Sequence, residues 1–290
     1  VTADTEVSKP WTRAAGAVPP PALVMLGIVS VQIGAGLAKD LFAQLSPTAV
    51  VFLRIATGTL VLVAFVRPRL RGLSWQSVRI GLAFGVILAV MNLTFYEALA
   101  RLPIGIAVAI EFMGPLGVAV AASRRKLDVV WVVLAGTGIV LLAPWGNAAN
   151  ADWVGIGFAA AAGVCWGAYI LLSASVGQRF PGTSGLVFAM IIATVVVAPP
   201  GIASGGLDLL DPTILLIGLG VGLLSSVIPY SLELEALRRM PKRVFGILMS
   251  LEPAVAAMVG LVVLGEVLHL REWAAIGCVV VASIGAARSG

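Results

Sequence analysis

The side chains best placed to do chemistry are ionisable groups set inside long apolar runs. Glu111 lies near the middle of Pro103–Ala122 and Glu252 near the middle of Val244–Leu264, and neither run carries another charge. Arg54 falls several residues inside Pro47–Val66, and Lys39 closes the first apolar run. Charge at membrane depth is costly, so such residues mark binding, relay or pairing roles. A buried glutamate suits two tasks, binding a substrate ammonium group or exchanging a proton for substrate. The competing role is structural, a carboxylate bonded to backbone or to Arg54. Arg54 either pairs with an intramembrane carboxylate, holds a substrate carboxylate, or snorkels to the interface. A zwitterionic solute needs both signs, which Arg54 or Lys39 together with Glu111 would provide. Gln32, Asn92, Tyr96, Trp166, Tyr169 and Tyr230 add polar or aromatic character to other apolar runs, where ordinary packing is the alternative.

Prolines accompany both carboxylates. Pro115 and Pro253 each remove a backbone donor and are expected to kink the helix near Glu111 and Glu252. Because Glu252 directly precedes Pro253, capping a broken helix is its structural alternative. Glu97/Arg101 and Glu235/Arg239 have the i,i+4 spacing of helical ion pairs and stand just before Pro103 and Pro241. The single histidine, His269, sits with Glu266, Arg271 and Glu272 and can build neither a catalytic triad nor a metal site alone. Cys165 and Cys278 lie in apolar stretches and read as packing residues rather than a disulfide or metal pair. No cofactor or metal is expected. Gly218-Leu-Gly-Val-Gly222 lacks the strand–turn–helix context of a nucleotide loop.

The elements that position these residues must be membrane helices. Of 290 residues, 60% are hydrophobic and 11% charged, with a mean hydropathy of +1.06; a soluble domain carries roughly 25% charged residues. The lipid bilayer is the solvent that suits this composition. About 20 apolar residues cross a bilayer core, and ten runs of that order can be placed. They are Ala22–Leu41, Pro47–Val66, Ile80–Ala100, Pro103–Ala122 and Val129–Trp145, then Val154–Ser173, Gly185–Pro200, Thr213–Leu237, Val244–Leu264 and Trp273–Ala287. Residues 1–20 are polar and are expected to form a cytoplasmic tail, the helix from Ala22 being retained rather than cleaved.

The net charge of +5 does not form one basic patch, so nucleic acid is not an expected partner. Of 19 Lys and Arg residues, fifteen fall on alternate connections: Lys9 and Arg13; Arg67, Arg69, Arg71 and Arg79; Arg124, Arg125 and Lys126; Arg179; Arg238, Arg239, Lys242 and Arg243; Arg288. Only Lys39, Arg101 and Arg271 fall on the other set. The positive-inside bias therefore predicts that both termini are cytoplasmic.

The two halves also match at an offset of 138 residues. Glu97-Ala-Leu-Ala-Arg-Leu-Pro103 aligns with Glu235-Ala-Leu-Arg-Arg-Met-Pro241, Pro115 with Pro253 and Ala119 with Ala257. In the same register Asn92 aligns with Tyr230, and Glu111 with Met249, three residues before Glu252. Five spans per half force the second half to insert in the opposite sense, an inverted repeat common among secondary transporters. The expected fold is all-α and integral to the membrane, with ten transmembrane helices in two inverted five-helix repeats, residues 21–146 and 147–290. Gly81/Gly85, Gly163/Gly167 and Gly218/Gly222 stand one turn apart and are expected to let helices pack closely.

Several stretches carry a family likeness. Gln32-Ile-Gly-Ala-Gly-Leu-Ala-Lys39, Leu53-Arg54, Leu102–Pro115, Ser123-Arg-Arg125, Asp128–Trp131, Cys165-Trp166, Ile228–Glu233, Gly246–Pro253 and Leu264-Gly-Glu266 resemble the bacterial threonine and homoserine exporters. Those form part of the EamA branch of the drug/metabolite transporter superfamily. The resemblance implies efflux of small neutral amino acids across the bacterial inner membrane, driven by protons, with no enzymatic activity. It carries Lys39, Arg54, Glu111 and Glu252 as motif positions without assigning each a role. Alternative cargoes are purines, cationic drugs or other metabolites of the same superfamily. A membrane-embedded enzyme on lipid-linked substrates would need clustered Asp, Glu and His or a metal motif, which the sequence lacks.

Overall fold

Runs this apolar, punctuated by proline and glycine rather than by β-branched alternation, leave the backbone to satisfy itself inside helices. A computed structural model describes residues 18–66, 68, 73–122, 128–142, 152–180, 183–240 and 242–289, and every regular element among them is helical. The α-helices are α1 (Pro20–Leu41), α2 (Pro47–Val66), α3 (Trp75–Leu99), α4 (Ile104–Glu111), α5 (Met113–Ala122), α6 (Asp128–Leu142) and α7 (Trp153–Arg179). They continue as α8 (Ser184–Gly205), α9 (Pro212–Gly222), α10 (Ile228–Arg239), α11 (Lys242–Met249), α12 (Glu252–Leu264) and α13 (Leu270–Ser289). A 3₁₀ turn, Gly206–Leu210, follows α8, and a π-helical turn, Leu223–Val227, joins α9 to α10.

Local chemistry sets several starts. Prolines open α1, where their missing donors cost nothing. Ser74 Oγ accepts from Ser77 N–H at 3.2 Å before α3, and Asp152 Oδ1 accepts from Gly155 N–H at 2.7 Å before α7. Asp211 caps α9 by accepting from Ile214 and Thr213 N–H, which holds its carboxyl below the usual carboxylate range.

Seven stretches of the described residues are long and apolar enough to cross a membrane: Pro20–Leu41, Pro47–Phe65, Trp75–Leu99, Trp153–Arg179, Ser184–Leu210, Pro212–Glu233 and Ile247–Leu264. The other three expected spans are helical but differ in build. Pro103–Ala122 is interrupted at Phe112, leaving the shorter apolar piece Ile104–Val118. Helix α6 has 15 residues, and α13 begins with Arg271-Glu272 and ends near Arg288. Residues 1–17 of the tail, the basic positions Arg67, Arg69, Arg71, Arg124, Arg125 and Lys126, the boundary at 146/147 and Pro241 lie outside the described residues.

Glycine brings the helices to backbone contact. A Cβ on Gly114 of α5 would stand 1.8 Å from the carbonyl oxygen of Gly163 in α7, so only glycine fits this crossing. The Gly81/Gly85 pair meets Phe188 and Ile192 of α8, and Gly222 meets Thr57 of α2. Across the halves α3 packs on α7, α1 on α10, α2 on α8, α4 on α12 and α6 on α13. This arrangement leaves α1, α3, α4, α7, α10 and α12 around one central space.

Candidate functional site

Three of the helical units that reach the centre are interrupted beside a proline, which lacks a backbone donor. Pro115 cannot donate to the Glu111 carbonyl, and α4 gives way to α5 at Phe112, directly after the carboxylate. Pro253 cannot donate to the Met249 carbonyl; α11 stops there and α12 restarts at Glu252. Pro229 leaves the Ser225 carbonyl free within the π turn. Arg54 fills that vacancy, donating from Nη2 to Ser225 O at 3.1 Å. Ser30 Oγ donates to the neighbouring Leu224 O at 2.7 Å.

These breaks surround a cavity of about 510 Å³, within the range of small-molecule sites (~300–1,000 Å³). Gln32, Arg54, Asn92, Tyr96, Glu111, Trp166, Tyr230 and Glu252, all singled out from sequence, line it together. The repeat partners Asn92/Tyr230 and Glu111/Met249 both reach its wall. Arg54 Nη1 donates to Asn92 Oδ1 at 2.7 Å, while Asn92 Nδ2 donates to Leu88 O at 2.8 Å. The Arg54 guanidinium lies 5.3 Å from the centre of the Tyr96 ring. Gln32 Nε2 donates to Glu252 Oε1 at 3.2 Å. Leu251 precedes α12 without a side-chain cap, and Glu252 directs its bond to Gln32 rather than to its own helix end.

Glu111 is 8% exposed and, among the described residues, accepts no hydrogen bond from any side chain or backbone donor. Both Glu252 and Arg54 act on it electrostatically, one repelling and one attracting. Arg54 makes no ion pair among the described residues. Trp166 meets Phe112 edge-on at 5.3 Å, beside Glu111.

Lys39 is placed elsewhere. Its Nζ pairs with Glu266 Oε1 and donates to Leu102 O at 2.8 Å, while Glu266 Oε2 accepts from Ile104 N–H at 2.9 Å. Gly265 makes this possible by taking φ 67°, so that Glu266 N–H turns back to Gly260 O at 3.0 Å. The cluster ties the ends of α1 and α12 to the start of α4, apart from the cavity wall.

The sequence reading missed Glu233, Ser225, Ser250 and Ser283, all of which line the cavity. Glu233 was legible: it stands three residues after Tyr230 and shares its helix face. The serines carry no comparable signal, since serine is common in membrane helices. Glu97/Arg101 and Glu235/Arg239 form ion pairs as the spacing suggests, the latter at 4.0 Å. Cys165 and Cys278 are both free, His269 is exposed, and no metal-ligand cluster occurs among the described residues.

Comparison with known proteins adds four findings. Residues 153–288 match the model of the EamA-like transporter family. The chain is 42% identical over 268 residues to the threonine/homoserine exporter RhtA of Escherichia coli (strain K12), covering 92% of this chain and 90% of that protein. It is 43% identical to the protein of the same name from Salmonella typhimurium (strain LT2), covering 91% and 90% respectively. A solved crystal structure superposes with a TM-score of 0.59 at 18% identity, over 90% of this chain and 95% of that one, a likeness of fold alone.

Proposed function

The chain belongs to the EamA-like transporter family, and on that premise we propose that it exports threonine, homoserine or similar small neutral amino acids by proton-coupled alternating access. It is a membrane transporter and not an enzyme. The observation that carries the cargo assignment is the nearly full-length likeness to proteins named threonine/homoserine exporters. The cavity chemistry agrees, because an amino-acid zwitterion needs both signs and the wall offers Arg54 opposite in charge to Glu111, Glu233 and Glu252.

The proposed topology is ten spans in two inverted sets, residues 21–146 and 147–290, in the bacterial inner membrane with both termini cytoplasmic. The Lys and Arg distribution supports the orientation. Helix pairing supports the inverted repeat. Under the repeat, α1 corresponds to α7 and α3 to the α9–α10 unit, and the cross-half contacts are α1 with α10 and α3 with α7. Elements equivalent to one another, α2 and α8, and α6 and α13, pack together. A two-fold axis produces this reciprocity, since each contact must recur with its partners exchanged.

With that orientation Lys39, Ile104 and Glu266 face the outside, and their cluster forms the outer barrier of the pathway. Lys39→Met removes the ion pair and the bond to Leu102. External labelling of Ala35→Cys by an impermeant maleimide is then expected to rise roughly tenfold, the shift that about 1.4 kcal/mol produces. Equal labelling in both backgrounds would remove the barrier role.

The functional test is counterflow in proteoliposomes with a panel of labelled amino acids. Saturable exchange of threonine or homoserine is expected. A second reading, export of a cationic drug or other metabolite, draws on the three cavity carboxylates. It would gain from an amino-acid panel that fails while organic cations exchange.

A further inference from the structure

Six buried side-chain polar atoms among the described residues have no hydrogen-bond partner: Gln32 Oε1, Arg54 Nε, Tyr96 Oη, Ser225 Oγ, Glu252 Oε2 and Ser283 Oγ. Every one belongs to a residue lining the cavity. An unsatisfied buried polar group is costly, so six in one wall demand an explanation beyond packing. A ligand that supplies the missing partners is one.

The atoms divide by charge and position. Arg54 Nε, Tyr96 Oη and Ser225 Oγ form a donor pole: the Tyr96 hydroxyl lies beside the Arg54 and Ser225 side chains, yet makes no well-formed bond to either. Asn92 Oδ1 and Ser225 O already occupy the two Nη groups and hold the guanidinium in place, while no carboxylate among the described residues forms an ion pair with it. The other pole is acceptor-rich. Gln32 ties down Glu252 Oε1 but leaves Oε2 open, Gln32 Oε1 is open as well, and Glu111 has no donor.

We propose that the cavity binds its cargo in one orientation, with the cargo carboxylate on Arg54, Tyr96 and Ser225 and its ammonium group between Glu111, Glu252 and Gln32. This rests on the amino-acid reading above and adds the assignment of the two poles. Three donors converge on a carboxylate that accepts through two oxygens, and an ammonium group brings three donors to the open acceptors. Arg54 and Tyr96 are thereby the residues that require a carboxylate, and so select amino acids over amines.

The experiment compares threonine, threoninamide, which lacks the carboxylate, and 3-hydroxybutyrate, which lacks the ammonium group, as competitors of labelled threonine counterflow. In the unaltered protein threonine is expected to compete at least tenfold better than either analogue. Tyr96→Phe removes one hydroxyl from a packed ring and is expected to weaken threonine about tenfold, the loss of one charge-assisted hydrogen bond. Threoninamide is expected to be unchanged in that variant. Arg54→Gln is expected to erase the preference for threonine over threoninamide. Threonine and threoninamide weakened in parallel in Tyr96→Phe would overturn the orientation, as would full threonine affinity in Arg54→Gln. If Arg54→Gln does not yield monodisperse protein, the Tyr96→Phe ratio alone decides. An unaltered protein that exchanges no amino acid would instead reject the amino-acid reading itself.

Discussion

Glu111→Gln is expected to lower proton-driven efflux by one to two orders of magnitude and to flatten its pH dependence. Glutamine keeps the size and the capacity to accept a bond, but it cannot ionise. Energetic coupling of two ligands through one site is worth about 1–3 kcal/mol, roughly 5- to 150-fold, which sets the size of the effect. Glu111 is chosen over the other cavity carboxylates on structural grounds. Glu252 is anchored by Gln32, so its charge change disturbs an existing bond. Glu233 rests against Gly27 of α1 and stands on α10, not beside the carboxylate-flanking breaks at Phe112 or Ser250–Leu251 in the chain. Glu111 has no donor to lose and lies within the fields of both Glu252 and Arg54. Cargo entering as a cation or a proton entering from bulk would therefore act on it directly. The measurement is efflux from loaded vesicles under an imposed pH gradient, alongside counterflow. Unchanged flux and unchanged pH dependence would remove the coupling role.

Among the described glycines, Gly114→Ala is expected to have the largest structural effect. Its Cβ would lie 1.8 Å from Gly163 O and 2.6 Å from Gly163 C. Both partners are backbone, so no rotamer change relieves the overlap and α5 must move away from α7. Overpacking a well-packed site costs about 1–3 kcal/mol when side chains can yield, and here they cannot. The shift would also carry away Glu111, whose carbonyl rests near Gly163, and the edge contact of Phe112 with Trp166. A loss of thermal stability in detergent and of transport is the expected outcome. Gly117→Ala, three residues along α5, meets no atom within 4 Å and is expected to be neutral, because alanine is the better helix former. Equal behaviour of the two variants would contradict the close crossing.

Much of this protein is written in local sequence. The solvent a segment needs follows from its own composition, so the membrane character and the placement of the long helices could be read from run length and hydropathy. Glu111 and Glu252 stand out for the same reason, as lone charges in runs that exclude charge. Pro115 and Pro253 mark the breaks beside the two carboxylates because a missing N–H is a property of one residue. The offset of 138 residues points to Asn92 and Tyr230 together.

Which residues meet across the bundle was decided only by tertiary structure. Lys39 has the chemistry of a cavity cation, yet it pairs with Glu266, 227 residues away, because the left-handed turn at Gly265 delivers that carboxylate to the end of α1. Arg54 could have paired with Glu111; it is held instead by Asn92 and by the Ser225 carbonyl that Pro229 leaves free. Side-chain type and spacing say what a group can do. Helix crossings, set here by backbone contacts at Gly114 and Gly163, decide which partner comes within the ~3 Å where it is done.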